Sequence, residues 1–343
     1  MASQIMTAQQ YINKSVTSTT ADTDYLHLHG EQLSSFIDLT VDTSVMLKDA
    51  THLVLTAPNI DLANIDIPDG RMAMGLDYTE EVSDDDQVTP TFGGRNLNPQ
   101  TADLRYDFEA THLPRYNIAR GQLADDVDVA VRKSMANNFE DIGINAVVGG
   151  TNPDDYATGN RTTIDGWSTK ASSGHVVDHA GGYINPQVFK DMWKELPAKW
   201  RFNAAKKGDF RYYVSDLLAI EYRDYLARRT TPLGDLSMTQ EGDLSFAGVP
   251  ITPVPAIPTD VSGVLTQSDS SSEYTFILLV ERGNMVVGYG PEMIFHLGLR
   301  QSDGKVQYYS WWGEFDVQYR NIDAVVVARN VLPEVDPALS VAY

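Results

Sequence analysis

Residues 124–148 read ADDVDVAVRKSMANNFEDIGINAVV and carry one period throughout. Val127, Val131, Met135, Phe139, Ile142 and Ala146 fall on a single stripe, while Asp126, Lys133, Asn137 and Glu140 occupy the opposite face. That pattern predicts a helix with one side laid on a core. Asp125 and Asp126 suit the positive end of its dipole, and Gly149-Gly150 supplies a stop. About 25 residues at about 1.5 Å each make a rod of roughly 37 Å. Gly143 weakens its interior only slightly.

Toward the N-terminus the period changes from helical to alternating. Met72, Met74, Leu76 and Tyr78 alternate with other residues, as do Leu104, Tyr106, Phe108 and Ala110 with Arg105, Asp107 and Glu109, which predicts two half-buried strands. Between them lie Pro90, Gly93, Gly94, Pro99 and the acidic run Asp84, Asp85 and Asp86. This is too long for a tight turn, so a long hairpin with a protruding tip is expected. Earlier still, Leu33, Phe36, Ile37 and Val41 recur at helical spacing after Gly30, and residues 1–24 are polar and rich in Thr. Such a segment cannot bury itself and reads as an arm lying on a neighbour.

Toward the C-terminus, residues 151–182 are rich in Gly, Thr, Asp and Ser and mark a transition. Asn185-Pro186 makes an N-cap and first-turn pair for a helix bearing Val188, Phe189, Met192 and Leu196, closed by Pro197. A strand over 210–214 leads to Ser215, an N-cap for a helix over 216–229. Strands are expected at 276–280, 285–287, 306–312, 315–319 and 322–328, separated by turn residues such as Gly283-Asn284 and Asp303-Gly304. Helices and strands in separate runs indicate an α+β fold.

The chain has 343 residues, 42% of them hydrophobic and 21% charged, a composition that folds and fills one large domain or two moderate ones. No run approaches the roughly 18 apolar residues of a membrane helix, and the first ten residues lack the pattern of a secretory signal. Cysteine is absent, which excludes disulfides and thiolate metal sites. Lys and Arg total 26 against 47 Asp and Glu, a formal charge of -21. That balance argues against a nucleic-acid binder built on basic patches. The acids are dispersed and lysine is rarer than arginine, a pattern suited to high salt, where counterions screen self-repulsion.

Signatures of chemistry are missing. The glycines at 298 and 304 are one residue too far apart for a phosphate loop, and Val306 stands where Ser or Thr is needed. Asp303-Gly304-Lys305 is instead a hairpin turn. Gly288-Tyr289-Gly290 lacks a third glycine and also reads as a turn. There is no G-x-S-x-G and no H-E-x-x-H segment. His27 with His29, and His175 with His179, offer two ligands at most and no neighbouring acids at a metal-site spacing. Asp84, Asp85 and Asp86 could attract a hard cation, as could Asp154-Asp155, without matching a calcium loop. Trp311 and Trp312 face opposite sides of a strand, so at least one belongs to a core. No cofactor is implied and no catalysis expected. A carboxylate-based hydrolase is the alternative of a different class, but no spacing singles out a pair of acids.

The order arm, acidic hairpin, long helix, mixed domain, closing strands resembles the Hong Kong ninety-seven type of major capsid protein of tailed double-stranded DNA viruses. Local likeness lies in Leu226-Ala227-Arg228-Arg229-Thr230-Thr231-Pro232-Leu233-Gly234-Asp235, in Phe246-Ala247-Gly248-Val249-Pro250-Ile251 and in Val254-Pro255-Ala256-Ile257-Pro258. Leu196-Pro197-Ala198-Lys199-Trp200-Arg201 before the strand at 210 adds to it.

The resemblance implies an N-terminal arm (1–58) and an extended loop (71–110) whose Met72, Met74, Leu76, Tyr78, Leu104, Tyr106 and Phe108 contact other subunits. It further implies a peripheral domain on the long helix (59–70, 111–150 and 276–335), an axial domain (151–275) and a C-terminal tail (336–343). Hexamers and pentamers of one chain would form a virion shell around packaged double-stranded DNA, without sequence-specific binding or a membrane. The arm leaves no room for a built-in scaffold, so a separate scaffolding protein or none is implied, with portal and decoration proteins as possible further partners. Encapsulins, which share the fold and enclose cargo proteins, are the nearest rival.

Overall fold

The structure, a computed structural model, describes residues 25–29, 37, 44–56, 59–66, 91–109, 120–148, 163–201, 209–227, 244–259, 274–300 and 306–334. The strands fall into two six-stranded sheets and a separate hairpin. The first sheet is organised by β13 (Val306–Tyr319). One of its edges is shared in succession by β12 (Glu292–Arg300), along 306–312, and β11 (Met285–Tyr289), along 315–319. Its other edge carries β5 (Gln100–Glu109), from Val306 to Phe315. β1 (Tyr25–His29) extends the sheet beyond β12, and β2 (Thr51–Val54) runs parallel to β11.

The long helix, α2 (Arg120–Asn145, 26 residues), covers one face of this sheet. Phe139 stacks on Phe315 at 5.1 Å between ring centroids and meets Tyr289 edge-on at 6.3 Å. Gly143 faces the same core, where a Cβ would stand in ordinary contact 3.4 Å from Val317. Met135, Phe139 and Ala146 of the expected stripe are buried, and Ile142 packs against the same core.

The second sheet runs β6 (His175–Asp178), β14 (Val325–Val331), β10 (Thr275–Glu281), β7 (Phe210–Val214), β9 (Val249–Pro253), β8 (Ser245–Phe246). Its central strands β10 and β14 carry unbroken apolar runs, Phe276 to Val280 and Val325 to Ala328, because both faces are covered there. Leu278, Val280, Val325 and Val327 join the core under α2, whereas Ile277, Leu279, Val326 and Ala328 join a second core. That second core is closed by α4 (Pro186–Glu195) through Val188, Phe189 and Met192, and by α6 (Asp216–Ala227) through Leu218, Ala219 and Tyr222. The caps are those expected: Asn185 Oδ1 accepts from the N–H of Gln187 at 2.8 Å and of Val188 at 3.3 Å, and Ser215 Oγ accepts from Leu218 N–H at 3.3 Å. Two short helices complete the set among the described residues before α6, α3 (Trp167–Ala171) and α5 (Ala198–Arg201), and α1 (Met46–Asp49) precedes β2.

Several expectations need correction. α2 begins at Arg120, so Asp125 and Asp126 lie past its first turn. Glu140 is buried, not on a solvent face, because it accepts a hydrogen bond from Met46 N–H at 2.6 Å, 94 residues away. Strands 306–312 and 315–319 are one strand, and β12 was not foreseen. Residues 322–324 form a 3-10 turn before β14. Gly288-Tyr289 is no turn but the end of β11, where Leu97 would lie 2.5 Å from a Cβ on Gly288. The expected Asp303-Gly304 turn lies outside the described residues, between Arg300 and Val306, which pair. Strands expected together as closing strands divide between the sheets: β10 and β14 pair with β7 and β6 in the second, β11, β12 and β13 lie in the first.

Candidate functional site

The features on which the expected intersubunit residues bear are a hairpin anchored at its base and an N-terminal segment wedged between the sheets. The hairpin pairs β3 (Ile60–Asp66) with β4 (Thr91–Leu97), from Ile60 opposite Leu97 to Asp66 opposite Thr91. Its base is held by three devices. Leu97 packs in a small core with Leu55, Leu62 and Val286. Asp316, buried on β13, accepts from Asn98 N–H at 2.9 Å through one oxygen and from Lys170 Nζ at 2.9 Å through the other. Gln318 Nε2 donates to the Asn96 carbonyl at 3.0 Å. A buried, hydrogen-bonded ion pair of this kind fixes geometry more than it adds stability.

The expected intersubunit residues therefore separate. Leu104, Tyr106 and Phe108 lie on β5, opposite Trp311, Tyr309 and Gln307 of β13, so their strand belongs to the first sheet and not to the hairpin's return arm. Polarity alternation showed a strand there but could not name its partner. Met72, Met74, Leu76 and Tyr78, together with Asp84, Asp85 and Asp86, lie outside the described residues.

The arm segment enters at Ile37, which is buried in the main core. Met46 and Leu47 are fully buried, and Glu140 caps the first turn of α1 through Met46 N–H. Asp49 closes the junction. It meets Arg282 at 2.6 Å and Arg211 at 3.4 Å, and it accepts from the Tyr213 hydroxyl at 2.8 Å. Arg211 and Tyr213 belong to the second sheet, whereas Arg282 stands in the turn that crosses to the first. The two crossings are themselves tied: Asn284 Nδ2 donates to the Asn321 carbonyl at 2.7 Å, and Asn321 N–H donates to Asn284 Oδ1 at 2.6 Å. Burial, with the neighbouring Asp49 charge, pushes the Tyr213 phenol well above its ordinary value. Apart from Ile37, this wedge was not visible in the sequence, since Glu140 lies 94 residues from Met46 and Tyr213 lies 164 from Asp49.

Other candidates stay apart. His27 and His29 lie on β1 opposite Ile294 and Glu292. His179 Nε2 lies 3.0 Å from the Tyr183 carbonyl, and His175 pairs on β6 with Val326. Among the described residues no cluster of three or more His, Asp or Glu could hold a metal, and no helix is long and apolar enough to cross a membrane. Trp312 is 55% exposed.

The fold is that of the major capsid proteins of tailed phages, the Hong Kong ninety-seven type. It superposes on a chain of the procapsid of satellite phage P4 with its size determination protein (TM-score 0.56, 12% identity, 88% of this chain and 99% of that one). It also superposes on the capsid of an empty GTA particle (TM-score 0.52, 12% identity, 96% of this chain and 100% of that one). In sequence it is 26% identical over 286 residues to the putative prophage capsid protein YqbE of Bacillus subtilis strain 168, covering 83% of this chain and 86% of that protein. No family profile matches it.

Proposed function

We propose that this chain is the major capsid protein of a tailed double-stranded DNA virus, with copies arranged as hexamers and pentamers in an icosahedral shell around the genome. The observation that carries the reading is the agreement of the fold with the P4 procapsid chain over 88% of this chain and 99% of that one. The chain acts through its interfaces and catalyses nothing. Shells form in the host cytoplasm, with separate scaffolding and portal proteins, and a decoration protein can bind outside. DNA is enclosed without sequence-specific contacts, in keeping with a charge of -21. The extended loop, with Met72, Met74, Leu76 and Tyr78 on its rising strand, reaches a neighbouring subunit.

The test is expression of the full chain followed by size-exclusion chromatography and electron microscopy. Megadalton icosahedral shells are expected. A monomer or small oligomer under all salt conditions would sink the reading and favour the carboxylate hydrolase. Shells recovered from infected cells with a protein cargo in place of nucleic acid would favour an encapsulin-like compartment.

A further inference from the structure

α6 buries Leu218, Ala219 and Tyr222 but leaves Ile220 63% and Leu217 38% exposed. On a helix, Leu217, Ile220, Glu221 and Asp224 stand three and four residues apart and form one contiguous patch. It is an apolar pair edged by two carboxylates. The acids of this helix, Asp216, Glu221 and Asp224, outnumber its single base, Arg223.

The other helical layer on the same core has the opposite sign. Across α4 and α5, Lys190, Lys194, Lys199 and Arg201 face two acids, Asp191 and Glu195. Lys190 and Arg201 are exposed, and the Lys194 side chain is 58% exposed. Lys194 sits 3.3 Å from Asp191, an exposed pair that water screens and that exchanges readily. Lys199 reaches Asp323 at 3.2 Å. α4 lies over β6 and β14 and α6 over β9, which are toward opposite ends of the second sheet. The helices touch through Phe189 and Tyr222, with ring centroids 4.9 Å apart.

A closed ring of identical copies needs a head-to-tail contact between two different, mutually complementary surfaces of each subunit. We propose that these are the two surfaces, the Leu217-Ile220-Glu221-Asp224 patch of one copy meeting the Lys190-Lys194 face and α5 of the next. Lysine stems cover the apolar pair while their ammonium groups reach the flanking carboxylates. This inference rests on the capsid reading and names the surface that joins subunits within a capsomer.

Two charge-reversed proteins test it, Glu221→Lys with Asp224→Lys, and Lys190→Glu with Lys194→Glu. The lysines are exposed and the two acids half-buried, so thermal melting of unassembled protein checks the fold of each. Each alone is expected to sediment as free subunits where the parent gives shells. Mixed in equal amounts, the two regain complementary contacts when they alternate, so six-membered rings reappear and five-membered rings do not. As a charge-neutral check, Ile220→Gln should weaken assembly without lowering the melting temperature. Parent-like shells from both reversed proteins, or loss of assembly in both with no recovery on mixing, would overturn the pairing and leave the capsid reading intact. A parent that never forms shells would overturn both.

Discussion

Asp49 shows how much one side chain carries. It holds Arg211 from the second sheet, Arg282 from the crossing turn and the Tyr213 hydroxyl. Asp49→Ala leaves the Arg282 guanidinium and the Tyr213 phenol without this acceptor and removes the carboxylate charge beside Arg211. The expected cost is about 2–3 kcal/mol, below that of a fully buried pair, because Arg282 is 44% exposed. Asp49→Asn, which keeps an acceptor for Tyr213, should lose less; equal losses by urea denaturation of unassembled protein would contradict this. The buried tyrosines make a second prediction. Burial pushes the phenols of Tyr212, Tyr213 and Tyr319 well above their ordinary value, about 10 in an unfolded chain. A raised folded value favours the protonated form, so this stability is complete below about pH 10 and is lost as pH climbs above it. Tyrosinate absorbance of these three should therefore appear together with loss of secondary structure, and smooth ionisation in a still-folded protein would refute the assignment.

At the scale of elements, the hairpin and its base divide their duties. Its base is fixed by Leu97, Asp316 and Gln318, so replacing residues 67–90 with a short Gly-containing turn between Asp66 and Thr91 should leave the melting temperature of the subunit unchanged. If the loop reaches a neighbour as proposed, shells should fail to form; stable shells from the shortened protein would show that the loop is dispensable. The same elements mark what the sequence disclosed. α2, α4, β7 and α6 were legible because their signals are local: a stripe, an Asn-Pro start, a Ser cap. Glu140 was misplaced because its partner, Met46 N–H, comes from a distant segment that no period reveals. The hairpin strands IDLANID and TFGGRNL are poor in strand formers and contain Gly93-Gly94, so they looked like loop. Leu104 to Phe108 looked like a hairpin arm because alternation reports a strand but is silent on which edge it joins. Nor could it be seen that β10 and β14 lie beside β7 and β6, since sheet order is set by tertiary packing of both faces.

For the whole molecule, charge decides how far the shell depends on its medium. There is no lysine between Lys48 and Lys133, so the extended loop has no amine for an isopeptide bond, and denatured particles should run as one band near 37.9 kDa. A ladder of covalent multimers would contradict this. Without such bonds, and without cysteine, the shell is held by burial and short-range contacts against a subunit charge of -21. Repulsion between neighbours a few nanometres apart accumulates with every copy added. At about 0.01 M salt the screening length is roughly 30 Å, comparable to a subunit, whereas at 1 M it is roughly 3 Å and only touching charges interact. Long-range repulsion is then abolished, while a contact such as Lys190 against Glu221 is weakened but keeps its apolar centre at Ile220. Assembly should consequently be firm in molar salt and fall sharply on dilution, as expected of a shell adapted to a salt-loving host. Magnesium should restore part of the loss if carboxylates such as Asp84, Asp85 and Asp86 share it between subunits. Light scattering of particles dialysed from molar to millimolar salt, with and without magnesium, measures this directly. Shells equally intact and equally heat-resistant throughout would remove the adaptation to high salt, because contacts indifferent to screening cannot be opposing a large unscreened repulsion.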